Sequence, residues 1–416
     1  MELYHGAIVF SKSNEELAEY KDAYLAVQDG VIEGIFEAFP SKFAGVKVYE
    51  LVKDEVLIPA FSDLHVHAPQ YPNRGIAMDE LLSDWLNDYT FSLEGKYSDL
   101  EFAKAVYSEF VDDMLAHGTM HAVVFGTIHS EATGFLLERF EDKGIQSFVG
   151  KVNMDADSPA YLLETTADSL KRTQKFLEKY IYNRFAKPIL TPRFAPTCSR
   201  ELLFGLGKLA KRYGVGVQTH VVESIWEAQE AKRRFSDCSC DTEIYEKAGL
   251  LDGGPVVAAH FIYPSADDVR ILKAHGGYAV QCPDATISVI AGIMQTGKLS
   301  DAGVNLALGT DLSAGHSLGV YSQVARSVQL SKIKSLYEPD NHAITFARAF
   351  AMATKEGGKL FGNVGSFEIG YKFDALVIGG VTNDFENLSP SQIVERFCYL
   401  GETKHIHAKF LNGKKL

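Results

Sequence analysis

Two histidines lie one residue apart in the stretch "FSDLHVHAPQYPN" (residues 61–73), where the apolar run "VLIPAF" ends. Alternate side chains of a β-strand share a face, so His65 and His67 are expected to point the same way. Two imidazoles together at a strand end suggest ligands of a metal ion. The alternative is a pair of surface histidines beside a turn. The rest of the sequence is needed to choose between a metal site and surface histidines.

Polar side chains also end several later apolar runs. Arg193 follows "ILTP", His220 follows "GVQT", His260 follows "PVVAA" and Asp311 follows "NLALGT". Four histidines and an aspartate at the same end of successive strands are hard to explain as helix caps alone. Imidazoles with one carboxylate suit Zn²⁺ or Fe²⁺ and do not suit Ca²⁺ or Mg²⁺. The pattern predicts a metal site that generates hydroxide at neutral pH.

A hydrolytic metal site also needs a group that carries protons. Glu223 lies three residues after His220, so on a short turn its carboxylate can face the same cavity. There it could take a proton from water and pass it to a substrate nitrogen. The alternative is a solvated acid in the first turn of the next helix, where the helix dipole favours it.

The elements that hold these residues alternate along the middle of the chain. Short apolar strands such as "HAVVFGT", "PVVAAHF" and "NLALGTD" are followed by helical patterns such as "SRELLFGLGKLAKRYG" and "SADDVRILKAHG". Apolar strands separated by helices indicate parallel βα units. Six or seven such units in about 300 residues predict a (β/α)8 TIM-like barrel, an α/β fold whose active site lies at the carboxyl ends of the strands. A doubly wound sheet is the alternative, but no G-x-G-x-x-G follows a strand.

The two ends of the chain have a different pattern. "YLAVQDGVIEGIF" predicts a β-hairpin around Asp29-Gly30, and Asn412-Gly413 predicts another. Residues 364–380 also resemble strands between glycine turns. We therefore expect a small β-sandwich domain built from residues 1–58 and 364–416, and a metal-dependent barrel domain over residues 59–363.

Composition limits the location and the partners. The 416-residue chain has a net charge of -13, which argues against a nucleic-acid or anionic membrane surface. The first residues, "MELYHGAIVFSKSNEE", do not resemble a secretory signal, and no apolar run is long enough for a membrane span. Five widely spaced cysteines fit reduced thiols better than disulfides, and Cys238-Ser-Cys240 is expected to be a surface loop. A cytoplasmic protein is expected.

The residues described above resemble the amidohydrolase superfamily. Its pattern is H-x-H after the first barrel strand, then two single histidines and an aspartate after later strands. Within the superfamily the chain resembles the guanine deaminases along nearly its full length. The stretches that carry this resemblance are "DLHVHAPQYPN", "WLNDYTFSLE", "VGKVNMD", "KPILTPRFAPTCS" and "YLGETKHI".

The resemblance implies a set of metal ligands. His65, His67, His220 and Asp311 would hold one Zn²⁺ per chain, with Fe²⁺ as the other possibility. Binuclear amidohydrolases bridge two ions with a carboxylated lysine. Lys151 is the one lysine near a suitable position and is expected to lie too early in its strand, which favours a single ion.

The resemblance also implies the substrate contacts. Gln70, Arg193 and Phe194 match the residues that recognise the purine in guanine deaminases, and His220 is expected to touch the substrate as well. Arg193 can donate to the guanine carbonyl or a ring nitrogen, and Phe194 can stack on the ring. Gln70 offers one donor and one acceptor.

The implied reaction is the hydrolytic deamination of guanine to xanthine and ammonia, a step of purine catabolism. Activated water attacks C2, Glu223 protonates a ring nitrogen, His260 orients the attacking group, and Asp311 shares the proton transfer. The expected partners are a small purine and water, with no nucleic acid and no membrane. A homodimer is also expected.

Two departures leave the substrate open. The family's H-C-P-x-S-N is "QCPDAT" here (residues 281–286), and its H-x-S-E is "HVVE". Such changes around a site retune ligands and substrate fit. A pterin, an aminotriazine or an oxidised purine is therefore an alternative substrate, and cleavage of a cyclic amide or halogenated ring is an alternative reaction. A non-catalytic scaffold is the alternative of another class.

Overall fold

Strands and helices alternate through the middle of the chain in a computed structural model that describes residues 1–80, 82–383 and 386–416. The strands are Glu2–Ser11 (β1), Leu17–Gln28 (β2), Val31–Phe36 (β3), Val48–Glu50 (β4), Val56–Pro59 (β5), Phe61–His67 (β6), Thr119–Phe125 (β7), Gln146–Gly150 (β8), Val152–Asn153 (β9), Ala186–Pro188 (β10), Thr191–Pro192 (β11), Val217–Val221 (β12), Val256–His260 (β13), Tyr278–Gln281 (β14), Asn305–Leu308 (β15), Ala375–Ile378 (β16), Ile406–Leu411 (β17) and Lys414–Lys415 (β18).

The helices fall mostly between the central strands. They are Leu82–Trp85 (α1), Phe91–Gly95 (α2), Leu100–Ala116 (α3), Ser130–Lys143 (α4), Thr166–Tyr180 (α5), Arg200–Tyr213 (α6), Ile225–Arg234 (α7), Asp241–Lys247 (α8), Ala266–Ala274 (α9), Pro283–Ser288 (α10), Thr296–Asp301 (α11), Val320–Tyr337 (α12), Phe346–Ala353 (α13), Lys355–Gly358 (α14) and Pro390–Leu400 (α15). A π-helical turn, Leu86–Thr90, joins α1 to α2. None of the helices in the described ranges is both long and apolar enough to cross a bilayer.

The central strands form parallel sheets. One four-stranded sheet has the order β10-β8-β7-β6 and another has the order β12-β13-β14-β15, while β9 and β11 form a short pair. A parallel bridge between Leu190 and Val217 joins the two larger sheets on one side. On the other side, the backbone N–H of Asp311 donates to the carbonyl of His65 at 2.8 Å. The predicted alternation of parallel strands and helices is confirmed.

Burial and capping explain why these elements form. The strands β6, β7, β12 and β13 are buried along their whole length, as expected for parallel strands covered on both faces. Ser199 caps the amino end of α6, and Gly214 ends it in the left-handed conformation that glycine adopts without strain. Ser265 and Asp268 form a capping box at α9.

Strands from both ends of the chain form one further sheet. Its order is β18-β17-β16-β5-β1-β2-β3, and β4 pairs with a separate part of β1. The hairpins at Asp29-Gly30 and Asn412-Gly413 are confirmed, with positive φ at all four residues. The prediction of strands through residues 364–380 is wrong for residues 364–374, and the strand in this range is β16 in its later part. Residues 364–374 are instead anchored by Phe367 and Phe373, which are buried in the core of this sheet.

Candidate functional site

The histidines of the first central strand lie on one face of β6, as predicted. His65 and His67 are both buried, and their ring centroids are 4.9 Å apart. Asp63 lies two residues before His65 and so shares this face of β6. Its carboxylate accepts hydrogen bonds from the N–H groups of His65 (3.2 Å) and Thr310 (3.0 Å). Asp63 therefore ties β6 to the segment that leads from β15 to Asp311.

The side chains at the strand ends converge on a small volume. The Nε2 atom of His67 lies 3.2 Å from that of His220, at the end of β12. Oδ1 of Asp311 lies 3.2 Å from Nε2 of His65 and 3.4 Å from Nε2 of His67. His260, at the end of β13, places its Nε2 at 3.8 Å from Oδ2 of Asp311. The structure thus brings together all five residues predicted from the strand ends.

The donor set fits a divalent ion that prefers imidazole. The ligand atoms of His65, His220 and His260 all lie within 4.8 Å of one another. Within the described part of the chain, neither ring nitrogen of His65 or His260 has a hydrogen-bond partner. Buried polar atoms are normally satisfied, so these orphaned nitrogens point to a missing partner. Imidazoles with a carboxylate are the ligands that Zn²⁺ and Fe²⁺ accept.

Burial also keeps the imidazoles in the form that binds metal. Removal from water lowers the pKa of His67 and His220 well below the usual range, and it lowers the pKa of His260 to about 3. The neighbouring imidazoles add to the effect on His67 and His220. Neutral imidazole, with a free lone pair, is the ligand form. Nδ1 of His220 lies 2.7 Å from the carbonyl oxygen of Arg193, which directs Nε2 toward the cluster.

Glu223 faces the same cluster. Its carboxylate lies 3.7 Å from Nε2 of His260, and only 13% of the side chain is exposed. Burial, with a smaller contribution from Asp311, raises the pKa of Glu223 to about 8. A carboxyl group with such a pKa can hold and release a proton near neutral pH.

Two buried carboxyl groups hold the turn that carries Glu223. Glu227, in the first turn of α7, accepts a hydrogen bond from the Glu223 N–H at 2.8 Å. Asp241, at the start of α8, accepts one from the Val222 N–H at 3.1 Å. Val222 has a φ of 47°, which is unusual for a β-branched residue. These contacts fix the backbone on both sides of the turn.

The predicted substrate contacts meet at a residue that the sequence did not single out. Arg193 donates to both carboxylate oxygens of Glu94, from Nη1 at 2.6 Å and from Nη2 at 3.1 Å. Gln70 donates to the same carboxylate at 3.0 Å, and its oxygen accepts from the Ser313 N–H at 3.3 Å. Phe194 is half-buried, with its ring centroid 6.4 Å from that of His220.

Sequence reasoning missed three residues around the site: Asp63, Glu94 and Cys282. The signal for Asp63 was available, because it stands two residues before His65 on the same face of the strand. Cys282 lies with His65 and Asp311 in a second group whose ligand atoms are within 4.8 Å of one another. Glu94 is the last residue of "WLNDYTFSLE", a stretch that carries the family resemblance, but nothing in that stretch singles out its carboxylate.

The departures in "QCPDAT" lie around the cluster and leave its donors in place. The oxygen of Gln281 accepts a hydrogen bond from the Ser327 hydroxyl on α12, so this side chain is directed toward that helix. Thr286 bonds to the Pro283 carbonyl within α10.

Lys151 lies in an ion pair, and the segment Cys238-Ser-Cys240 directly precedes α8. The ammonium group of Lys151 contacts the Glu164 carboxylate and the Val152 carbonyl oxygen. Cys238 is buried and Cys240 is half-buried just before α8, so the prediction of a surface loop is wrong for Cys238.

Parallel strands that carry histidines and an aspartate at their carboxyl ends define a class of hydrolases built on an α/β fold. The sequence profile of the amidohydrolase family matches residues 56–415. The chain belongs to the amidohydrolase family.

The chain is similar to guanine deaminases over its full length. It is 32% identical to the guanine deaminase of Dictyostelium discoideum over 385 residues, covering 89% of this chain and 85% of that one. It is 30% identical to the guanine deaminase of Homo sapiens, covering 100% and 96%. The crystal structure of guanine deaminase from C. acetobutylicum with guanine bound in the active site matches with a TM-score of 0.96 and 37% identity, covering 100% and 99%.

Proposed function

We propose that this protein hydrolyses guanine to xanthine and ammonia. The full-length similarity to a guanine deaminase with guanine in its active site carries this proposal. The buried arrangement of Gln70 and Arg193 beside the histidine cluster supports it, because together they offer donors and an acceptor to a planar base.

We propose His65, His67, His220 and Asp311 as the ligands of one Zn²⁺ per chain, with Fe²⁺ as the other candidate. The short distances among these four side chains support this set. When bound, such an ion makes hydroxide available at neutral pH, because it lowers the pKa of water to about 7. The contact of Lys151 with Glu164 favours one ion over a lysine-bridged pair.

The protein's own residues then move the protons. Glu223 takes the proton released by the attacking water and delivers it to a ring nitrogen of guanine. The proton left on the oxygen at C2 then passes to the amino nitrogen, and the C2–N bond breaks to release ammonia and leave a carbonyl at C2. His260 lies between Glu223 and Asp311 and orients the attacking oxygen. Asp311 shares the proton transfer. Arg193, Gln70, Phe194 and His220 hold the base.

We also propose that the two larger parallel sheets close into a (β/α)8 barrel, supported by the links Leu190–Val217 and His65–Asp311. Residues 59–363 would form this domain, and residues 1–58 with 364–416 a β-sandwich. The separate apolar core of the terminal sheet supports that division. A cytoplasmic location and a homodimer stay predictions from the sequence.

An ammonia-release assay on zinc-loaded protein tests the reaction. The substrates are guanine, pterins, aminotriazines, adenine and cytosine. We expect guanine to be turned over, and Glu223→Gln to lose activity by about 100-fold or more while retaining its metal. Turnover of another base with guanine inert would overturn the substrate assignment. Absence of both metal and turnover would favour the scaffold alternative.

A further inference from the structure

We infer that Glu94 is the positioning residue that sets base specificity, because its carboxylate orients both Arg193 and Gln70. The inference rests on the proposed function for the identity of the base. Glu94 itself is only 2% exposed and lies in α2, the short helix just after the π-helical turn. It acts through its two partners.

The guanidinium of Arg193 is a buried charge. The Arg193 side chain is 6% exposed, and a buried guanidinium needs a countercharge. Guanine is neutral and cannot provide it. The bidentate contact with Glu94 provides it from the protein, and it leaves three of the five guanidinium N–H groups for other partners. Phe91 lies against the same guanidinium, with 5.3 Å between Cζ and the ring centroid.

The Gln70 amide has a donor side and an acceptor side, and Glu94 selects between them. A carboxylate accepts hydrogen bonds and cannot donate one, so only the NH₂ side of the amide can face Glu94. The amide oxygen must then point the other way, where the Ser313 N–H donates to it. A flipped amide would place oxygen against the carboxylate and NH₂ against a donor. Glu94 and Ser313 thus hold Gln70 in one orientation.

The fixed side chains of Arg193 and Gln70 favour one class of purine. Guanine and hypoxanthine present a carbonyl acceptor at C6 beside an N–H donor at N1. Adenine presents the reverse, an amino donor at C6 beside an acceptor at N1. Fixed donors on Arg193 and a fixed acceptor on Gln70 suit the first pattern and oppose the second. A ligand that leaves buried polar groups of the site without hydrogen-bond partners binds much more weakly than one that satisfies them.

The test compares Glu94→Gln and Glu94→Asp with the wild type. In Glu94→Gln the carboxamide can donate as well as accept, so Arg193 loses its countercharge and Gln70 is free to flip. We expect the KM for guanine to rise about tenfold or more, with kcat changed about threefold or less, because binding is lost equally in the ground and transition states. The preference for hypoxanthine over adenine as a competitive inhibitor should fall about fivefold or more. Glu94→Asp keeps the charge and should recover part of that preference.

A matched control separates positioning from general stability. Glu356 forms another buried bidentate pair, with Arg348, at the far end of the barrel strands, where it also accepts from the Leu306 N–H. Glu356→Gln should lower Tm while leaving the KM and the inhibitor preference at wild-type values. Equal changes in Glu94→Gln and Glu356→Gln, or no change in Glu94→Gln, would overturn the inference.

A crystal structure of Glu94→Gln gives a readout that needs no substrate. We expect Arg193 and Gln70 to leave their present positions while His65 and His67 stay in place. If wild-type protein turns over a different base and guanine is inert, the proposed function fails, and the same comparison is made with that base. Arg193 and Gln70 unmoved in the variant would overturn the inference whatever the substrate is.

Discussion

The Nε2 atoms of His67 and His220 lie 3.2 Å apart, although 153 residues separate the two histidines in the chain. Each side chain stands at the end of a different parallel sheet, so the contact depends on how the two sheets meet. Burial lowers the pKa of both imidazoles, and two neutral rings then direct nitrogens at each other. A shared cation stabilises such a contact better than the single hydrogen bond available between neutral rings.

This relationship leads to a prediction of metal content. Purified wild-type protein should contain about one zinc or iron per chain by elemental analysis. His65→Ala should lose the metal and the activity, because it removes a proposed ligand whose ring nitrogens have no hydrogen-bond partner among the described residues. His275→Ala, which changes a partly exposed histidine near Glu246 and Asp252, serves as the control and should keep both. Two ions per chain, or full metal content in His65→Ala, would contradict the proposed ligand set.

A second prediction concerns the ring beside the cluster. Phe194 lies between His220 and the exposed Trp226, with ring-centroid distances of 6.4 and 6.3 Å. Phe194→Ala should raise the KM for guanine about tenfold with little effect on kcat, because stacking contributes to binding in both states. Phe204→Ala removes a surface aromatic from α6 and should change neither constant. A fall in kcat alone would show that Phe194 acts in the chemical step.

The strand ends of the site could be predicted from the sequence because they repeat one physical pattern. Each is a short apolar run, buried on both faces, that stops at a polar residue. Parallel strands present their carboxyl ends at one edge, so His220, His260 and Asp311 could be expected near His65 before any contact was known. The hairpin at Asp29-Gly30 could also be predicted, because Asp-Gly is a residue pair that readily adopts the positive φ values this turn requires.

Long-range side-chain pairing could not be predicted in the same way. Glu94 and Arg193 are 99 residues apart, and neither the helical pattern around Glu94 nor the strand before Arg193 indicates the other. The strand prediction for residues 364–374 was wrong for a different reason. Their buried aromatics resemble strand residues, but Phe367 and Phe373 pack into the terminal core from irregular backbone. Tertiary packing overrides local propensity at such places.

A third prediction concerns the stability of the metal-free protein between pH 5.5 and 8.5. Burial raises the pKa of both Glu223 and Glu227 above that of an exposed carboxyl. In this range these two carboxyl groups hold protons in the folded protein that they have released in the unfolded chain, so their contribution to stability falls as pH rises toward 8 and levels off above it. The buried histidines, with their lowered pKa, contribute in the opposite sense up to about pH 7, and their contribution is the same in the wild type and in a variant of Glu227. Glu227→Gln removes one of the two carboxyl groups and should reduce the fall by about 1–3 kcal/mol, measured by urea unfolding at several pH values.

The control for this prediction lies on the same helix. Glu230 contacts Arg233 and Arg234, and the hydrogen bonds from Arg233 lower its pKa, so it stays ionised through the whole range. Glu230→Gln should therefore leave the slope of stability against pH unchanged. A Glu227→Gln variant with the wild-type slope would show that Glu227 is already ionised in the folded state.

The fourth prediction concerns the contact between the last central strand and the first. Gly309 follows β15, and a Cβ added there would lie 2.8 Å from Cβ of His65 and 3.0 Å from its carbonyl oxygen. Gly309→Ala should push this segment away from β6, displace Asp311 from His65 and lower stability by about 1–3 kcal/mol. Zinc affinity and kcat should fall in parallel. Gly276→Ala, at a residue with φ of 61° and open space around the new methyl group, should cost about 1 kcal/mol through backbone strain and leave zinc affinity intact. Equal zinc affinity in the two variants would show that the spacing of β6 and β15 does not position Asp311.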